Sequence, residues 1–104
     1  MAKNNSLLAG LPPVHPGALL REDILPRVKM SKTDIAGALG ISRAQLYAIL
    51  SEAAPVTAAM ALRLGKLFGN GPEIWLNMQS NYDIETLSTT MKKELAAIPR
   101  VEAA

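Results

Sequence analysis

The sequence predicts an all-α domain, and three observations predict it. Hydrophobic residues make up 49% of the 104-residue chain but only 4% is aromatic, and Ala and Leu dominate over Val, Ile and Thr, a balance that favours helix over sheet. Apolar residues recur at i, i+3 and i+4 in successive segments, the spacing of a helical stripe. Ser, Thr or Pro opens each segment and Gly or Pro closes most of them, as helix caps require. A chain of 104 residues holds one core and not two. We therefore expect a flexible N-terminal arm at 1–12, a domain at 13–83, and a C-terminal amphipathic segment and tail at 84–104.

The arm lacks periodicity and carries Asn, Ser and Gly. A first helix follows at His15-Pro16-Gly17, where proline in the first turn loses no hydrogen bond, with Leu19, Leu20, Ile24 and Leu25 as its apolar face and Pro26 as its stop. His15 is the only histidine and there is no cysteine. A metal site needs several converging ligands, so we read His15 as a helix-start or surface residue and Glu22-Asp23 as a solvated acidic pair.

The stretch Ser31 to Leu50, SKTDIAGALGISRAQLYAIL, reads as two short helices joined by a tight turn. Ser31 caps the first, with Asp34 three residues on. Ile35, Ala36 and Leu39 form its inward stripe, and Gly40 supplies the positive φ needed to leave the helix. Ser42 caps the second helix, Arg43 to Leu50, in which Leu46, Ile49 and Leu50 face inward. The opposite side then carries Ala44, Ala48 and Ser51, flanked by Gln45 and Tyr47, with Arg43 at the amino end.

That side is small and polar, the surface a helix needs to enter a major groove. Small residues permit close approach, guanidinium pairs bidentately with guanine, and a carboxamide pairs bidentately with adenine. Arg43 and Gln45 are thus candidate base readers, with Ala44 and Ala48 against thymine methyls and Ser42, Tyr47, Ser51 and Lys32 suited to the DNA surface and its phosphates. The plain alternative is an αα-hairpin whose outer face is merely solvated.

Beyond the loop SEAAPV, Thr57 caps a fourth helix with Met60, Ala61, Leu64, Leu67 and Phe68 inside, ended by Gly69-Asn70-Gly71. Pro72 starts a fifth, with Glu73 near its positive end. Trp75 is either the keystone of the core or part of a dimer patch. We assign Ile74 and Met78 to the core and Trp75, Leu76 or Tyr82 to an interface edge. Ile84, Leu87, Met91, Leu95 and Ile98 continue at near-heptad spacing among polar residues, an amphipathic segment that needs something to pack on. Gly37 and Gly65 sit inside helices, each costing about 1 kcal/mol relative to alanine.

Charge is permissive: the net value is +2 and the pI about 9.2, far from a densely basic surface. Absence of cysteine excludes disulfides, cysteine-ligated iron–sulfur clusters and thiol nucleophiles and suits a reducing cytoplasm. No apolar run approaches a membrane span. One histidine, no cysteine and no glycine-rich phosphate loop leave no nucleophile–base pair, no metal site and no cofactor site, so an enzyme is not expected.

From about Pro13 to Asp83 the chain resembles the HigA-type antitoxins, within the Xre or lambda-repressor-like helix-turn-helix superfamily. The resemblance rests on VHPGALLRED, DIAGALGISRAQLYAIL and, most specifically, MALRLGKLFGNGPEIWLNMQSNYD. It implies a five-helix domain that forms a homodimer, sets one recognition helix per subunit into successive major grooves of a palindromic operator, and represses its own operon. It also implies a partner, a RelE-like mRNA endonuclease toxin of the HigB type. The family often has an acidic residue where this chain has Ala18, and an Asn-Gly turn where it has Ser51-Glu52. The competing expectation is an Xre-family transcriptional regulator without a toxin partner.

Overall fold

The computed structural model describes residues 13–102; the expected arm at 1–12 and the last two residues lie outside the described part. The described residues form six helical elements and no strand, so the all-α expectation holds. Helix α1 (Pro16–Leu19) runs on through a π turn (Leu20–Ile24) and a 3-10 turn (Leu25–Arg27). Then come α2 (Lys32–Leu39), α3 (Arg43–Leu50), α4 (Ala58–Phe68), α5 (Glu73–Thr90) and α6 (Lys92–Ala96).

Local chemistry accounts for most boundaries. Ser31 Oγ accepts the Asp34 N–H at 3.0 Å, and Thr57 Oγ1 accepts that of Met60 at 3.2 Å, each satisfying an amide that the first turn leaves open. Gly40 leaves α2 at φ 74°. Its N–H reaches the Gly37 carbonyl at 3.1 Å while the Ile41 N–H reaches that of Ala36 at 3.0 Å, the paired closure of a Schellman turn. Ile41 packs against the core beneath, which fixes the angle at which α3 departs.

The core consists of Leu20, Ile35, Ala36, Leu39, Leu46, Ile49, Leu50, Val56, Met60, Ala61, Leu64 and Trp75. Helix α3 packs on α1 and α2, and α4 lies against α2 and α5. The α1–α3 contact is a backbone contact. A Cβ on Gly17 would lie 1.8 Å from the Ile49 carbonyl oxygen, so only glycine lets the two helices meet there.

Helix α5 corrects three expectations. Trp75 is fully buried in the core of its own protomer, its Nε1 donating to Asn70 Oδ1 at 3.0 Å and its ring 6.2 Å from that of Phe68; it has no surface to give a partner. Ile74, assigned to the core, is 47% exposed. The buried residues of α5 are Trp75 and Gln79, with Tyr82 half-buried in line with them, and the glutamine is one that an apolar pattern does not anticipate. Gln79 is satisfied at both ends: its Oε1 accepts the Val56 N–H at 2.8 Å and its Nε2 donates to Asp83 Oδ1 at 3.0 Å. Finally, the boundary expected after Asp83 falls inside α5, which continues to Thr90. From Ile84 to Glu102 every residue is exposed, including the apolar set Ile84, Leu87, Met91, Leu95 and Ile98.

Candidate nucleic-acid interface

Three anchors position α3. Leu46, Ile49 and Leu50 are buried on its inner side. The Schellman turn fixes its amino end. At its carboxyl end the Arg21 guanidinium donates to the Leu50 carbonyl at 2.5 Å and pairs with Glu52 at 3.3 Å and Glu22 at 2.8 Å. A cation there matches the open carbonyls and negative pole of a helix terminus. Glu52 occupies the left-handed region at φ 67°, a conformation that favours glycine. The chain thus makes its sharp exit from α3 with a residue that also holds Arg21.

The outward side assembles as expected: Arg43, Ala44, Gln45, Tyr47 and Ser51 are exposed on one strip, and Ala48 is half-buried beside them. Lys32 is exposed at the first position of α2. Neither Arg43 nor Lys32 makes an ion pair among the described residues. Two unengaged cations and small neutral side chains therefore face solvent, and no acidic residue sits on the strip.

Several side chains have prior commitments. Ser42 Oγ accepts the Gln45 N–H at 3.0 Å, while Gln45 Oε1 accepts the Ser42 N–H at 2.9 Å, a complete capping box. Ser42 keeps its hydroxyl proton for an external acceptor. Gln45 uses one of the two lone pairs of its Oε1 on the bond from the Ser42 N–H, which ties its side chain to the helix start. Ser51 Oγ donates to the Ala48 carbonyl at 3.2 Å and has only lone pairs left to offer. The sequence S-x-x-Q carries the box signature, yet Gln45 reads equally well as a free carboxamide.

Sequence reasoning missed the two arginines that close helix ends, because their partners are distant in the chain. Besides Arg21, Arg63 donates from Nη1 to the Leu39 carbonyl at 2.7 Å and covers the turn at Gly40. It also left open where His15 sits. The imidazole is buried, its Nδ1 accepts the Gly17 N–H at 2.9 Å, and the Tyr82 ring meets it edge-on at 5.0 Å. Burial pushes its pKa below the ordinary 6.5, with Glu52 and Asp83 opposing. The described residues hold no group of three or more potential metal ligands. Tyr82 is half-buried against His15, and Leu76 is half-buried on the core. No described helix is long and apolar enough to cross a membrane.

No family model matches the chain. Virulence-associated protein I of Dichelobacter nodosus is 40% identical over 75 residues, spanning 72% of this chain and 69% of that protein. Antitoxin HigA-1 of Vibrio cholerae serotype O1 is 31% identical over 72 residues, 69% of this chain and 68% of its own length. Among solved structures, antitoxin GraA in complex with its operator superposes with a TM-score of 0.81 at 36% identity, covering 90% of this chain and 96% of that one.

Proposed function

The chain belongs to the HigA-type antitoxins of the Xre helix-turn-helix superfamily, and on that premise we propose that it binds operator DNA as a homodimer, represses its own operon and neutralises a RelE-like mRNA endonuclease toxin of the HigB type. The observation that carries the DNA half is the strip of α3: buried on one side by Leu46, Ile49 and Leu50, exposed on the other, with Arg43 and Lys32 unengaged. Arg43 reads a guanine, Ala44 and Ala48 allow close approach, and Lys32, Ser42 and Tyr47 meet phosphates. That GraA was solved on its operator supports the same use of the same fold here.

Dimerisation cannot use Trp75, which is spent on the core. The apolar stripe Ile84, Leu87, Met91, Leu95 and Ile98 supports it instead, being the longest exposed run of large hydrophobics and in need of cover. Leu76 and Tyr82 lie at its inner end on α5. The toxin half rests on family membership. An Xre regulator without a toxin would use the same DNA surface and differ in one outcome.

Two measurements test this. Selection from randomised duplexes should yield a palindromic site bound by two copies; recovery of no preferred sequence would end the operator reading. Co-expression with the product of the neighbouring reading frame should give a stable complex that relieves growth arrest, whereas operator binding with no such complex points to the solitary regulator.

A further inference from the structure

Among the described residues His15 is the only titratable side chain that is buried, and it lies where α1, α3 and α5 meet. Its Nδ1 accepts the Gly17 N–H at 2.9 Å, so the proton of the neutral ring sits on Nε2. The residue it caps is the one whose backbone rests on the Ile49 carbonyl, with no room for a Cβ between them. The imidazole lone pair thus holds the surface on which the carboxyl half of α3 lies. A proton on Nδ1 turns that acceptor into a donor facing a donor, and the buried Gly17 amide loses its partner.

Charged groups face the ring from each element around it. Burial favours the neutral ring; Glu52, just past α3, and Asp83 on α5 favour the charged one, and Arg21 in the π turn opposes it. The Tyr82 ring closes the α5 side edge-on at 5.0 Å. Glu52 is also a partner of Arg21, whose guanidinium closes α3 at the Leu50 carbonyl. An imidazolium therefore competes with Arg21 for Glu52 as it releases Gly17, and both changes fall on the last turn of α3. We infer that His15 is a positioning residue for operator binding: its neutral ring holds α3 in the pose that meets DNA, and a proton on Nδ1 weakens that hold within the folded domain. This inference rests on the reading of α3 as the helix in the major groove.

The test is anisotropy titration of the selected duplex with the full chain and with His15→Asn and His15→Ala, from about pH 8 to about pH 5, at a temperature where circular dichroism shows each protein folded throughout. Wild-type affinity should be highest at the top of this range and fall by roughly three- to tenfold toward its bottom, the worth of one hydrogen bond. His15→Ala, with no acceptor for the Gly17 amide, should already be weakened by a similar factor at the top of the range and lose most of the fall. His15→Asn, whose oxygen takes the same bond and does not titrate, should recover most of that affinity and stay flat. The chain has a single histidine, so proton NMR follows one imidazole directly in the wild type, and by linkage the His15 pKa should be lower on DNA than free. A His15 pKa unchanged or raised on DNA would overturn the inference, as would an acid-dependent fall that persists unaltered in His15→Asn. No binding of any duplex at the top of the range would instead overturn the operator reading, and this one with it.

Discussion

Among the glycines of the described residues, Gly17 is where an added Cβ would make the shortest contact, so Gly17→Ala should be strongly destabilising. The new Cβ would stand 1.8 Å from the Ile49 carbonyl oxygen and 2.9 Å from its carbon. Real contacts of this kind stay above 3.0 Å, so α1 and α3 must separate by roughly 1.2 Å at that point. Alanine recovers up to about 1 kcal/mol of helix propensity, but overpacking of this kind costs typically about 1–3 kcal/mol and more where backbone must move. The obstacle here is backbone, so the net loss should be about 2 kcal/mol or above. It should fall on function as well, because Ile49 belongs to the helix that carries Arg43 and Gln45. Urea unfolding gives the stability change, and anisotropy at a temperature where the variant is fully folded gives the affinity change. A variant as stable as wild type and equally able to bind would mean that α1 and α3 do not meet backbone to backbone.

Three further outcomes follow from the same structure. Gly37 has open space where a Cβ would go, so Gly37→Ala should raise stability by about 0.4–1 kcal/mol; Gly65→Ala, whose Cβ would lie 2.3 Å from the Gly71 backbone, should lower it, and calorimetry separates the two. His15 has a depressed pKa in the folded state, so its contribution is fully present above about 6.5, declines as the pH falls through that value toward the folded pKa, and is lost below it. His15→Asn, which keeps a capping acceptor, should flatten the pH dependence of the melting temperature in this window. Arg43→Ala should cost about 1–3 kcal/mol on the selected site and relax preference at one position, while Lys32→Ala should weaken all duplexes alike and flatten the salt dependence. Equal losses on random and selected DNA for Arg43→Ala would contradict that division.

The parts of the fold legible in the sequence are those whose chemistry is local. Ser31, Gly40, Ser42, Thr57 and Gly69 mark the ends of α2, α3 and α4 because a cap involves residues within four or five positions of one another. The inward faces of α2 and α3 follow from the same short range. Helix α5 was misphased by one residue for the opposite reason. Gln79 is buried because the Val56 amide, 23 residues away, needs an acceptor; hydrophobicity alone puts Ile74 inside and leaves Trp75 for the surface. The C-terminal closures by Arg21 and Arg63 likewise join residues 29 and 24 apart. Within the candidate site the exposure of the strip was legible and the state of its side chains was not, since a glutamine at this position suits a helix cap as well as it suits a free carboxamide. Glu52 at φ 67° carries no local signal, because glutamate adopts that conformation only where its surroundings hold it.

The amide of residue 79 bears on how this sequence is free to drift. Its oxygen accepts a hydrogen bond from the Val56 N–H and its nitrogen donates one to Asp83. Glutamate would confront Asp83 with like charge, lysine would bring Val56 nothing, and leucine would answer neither neighbour. Any replacement for glutamine at this site has to leave the Val56 amide another acceptor, which ties the choice of residue 79 to the path of the segment leading into α4.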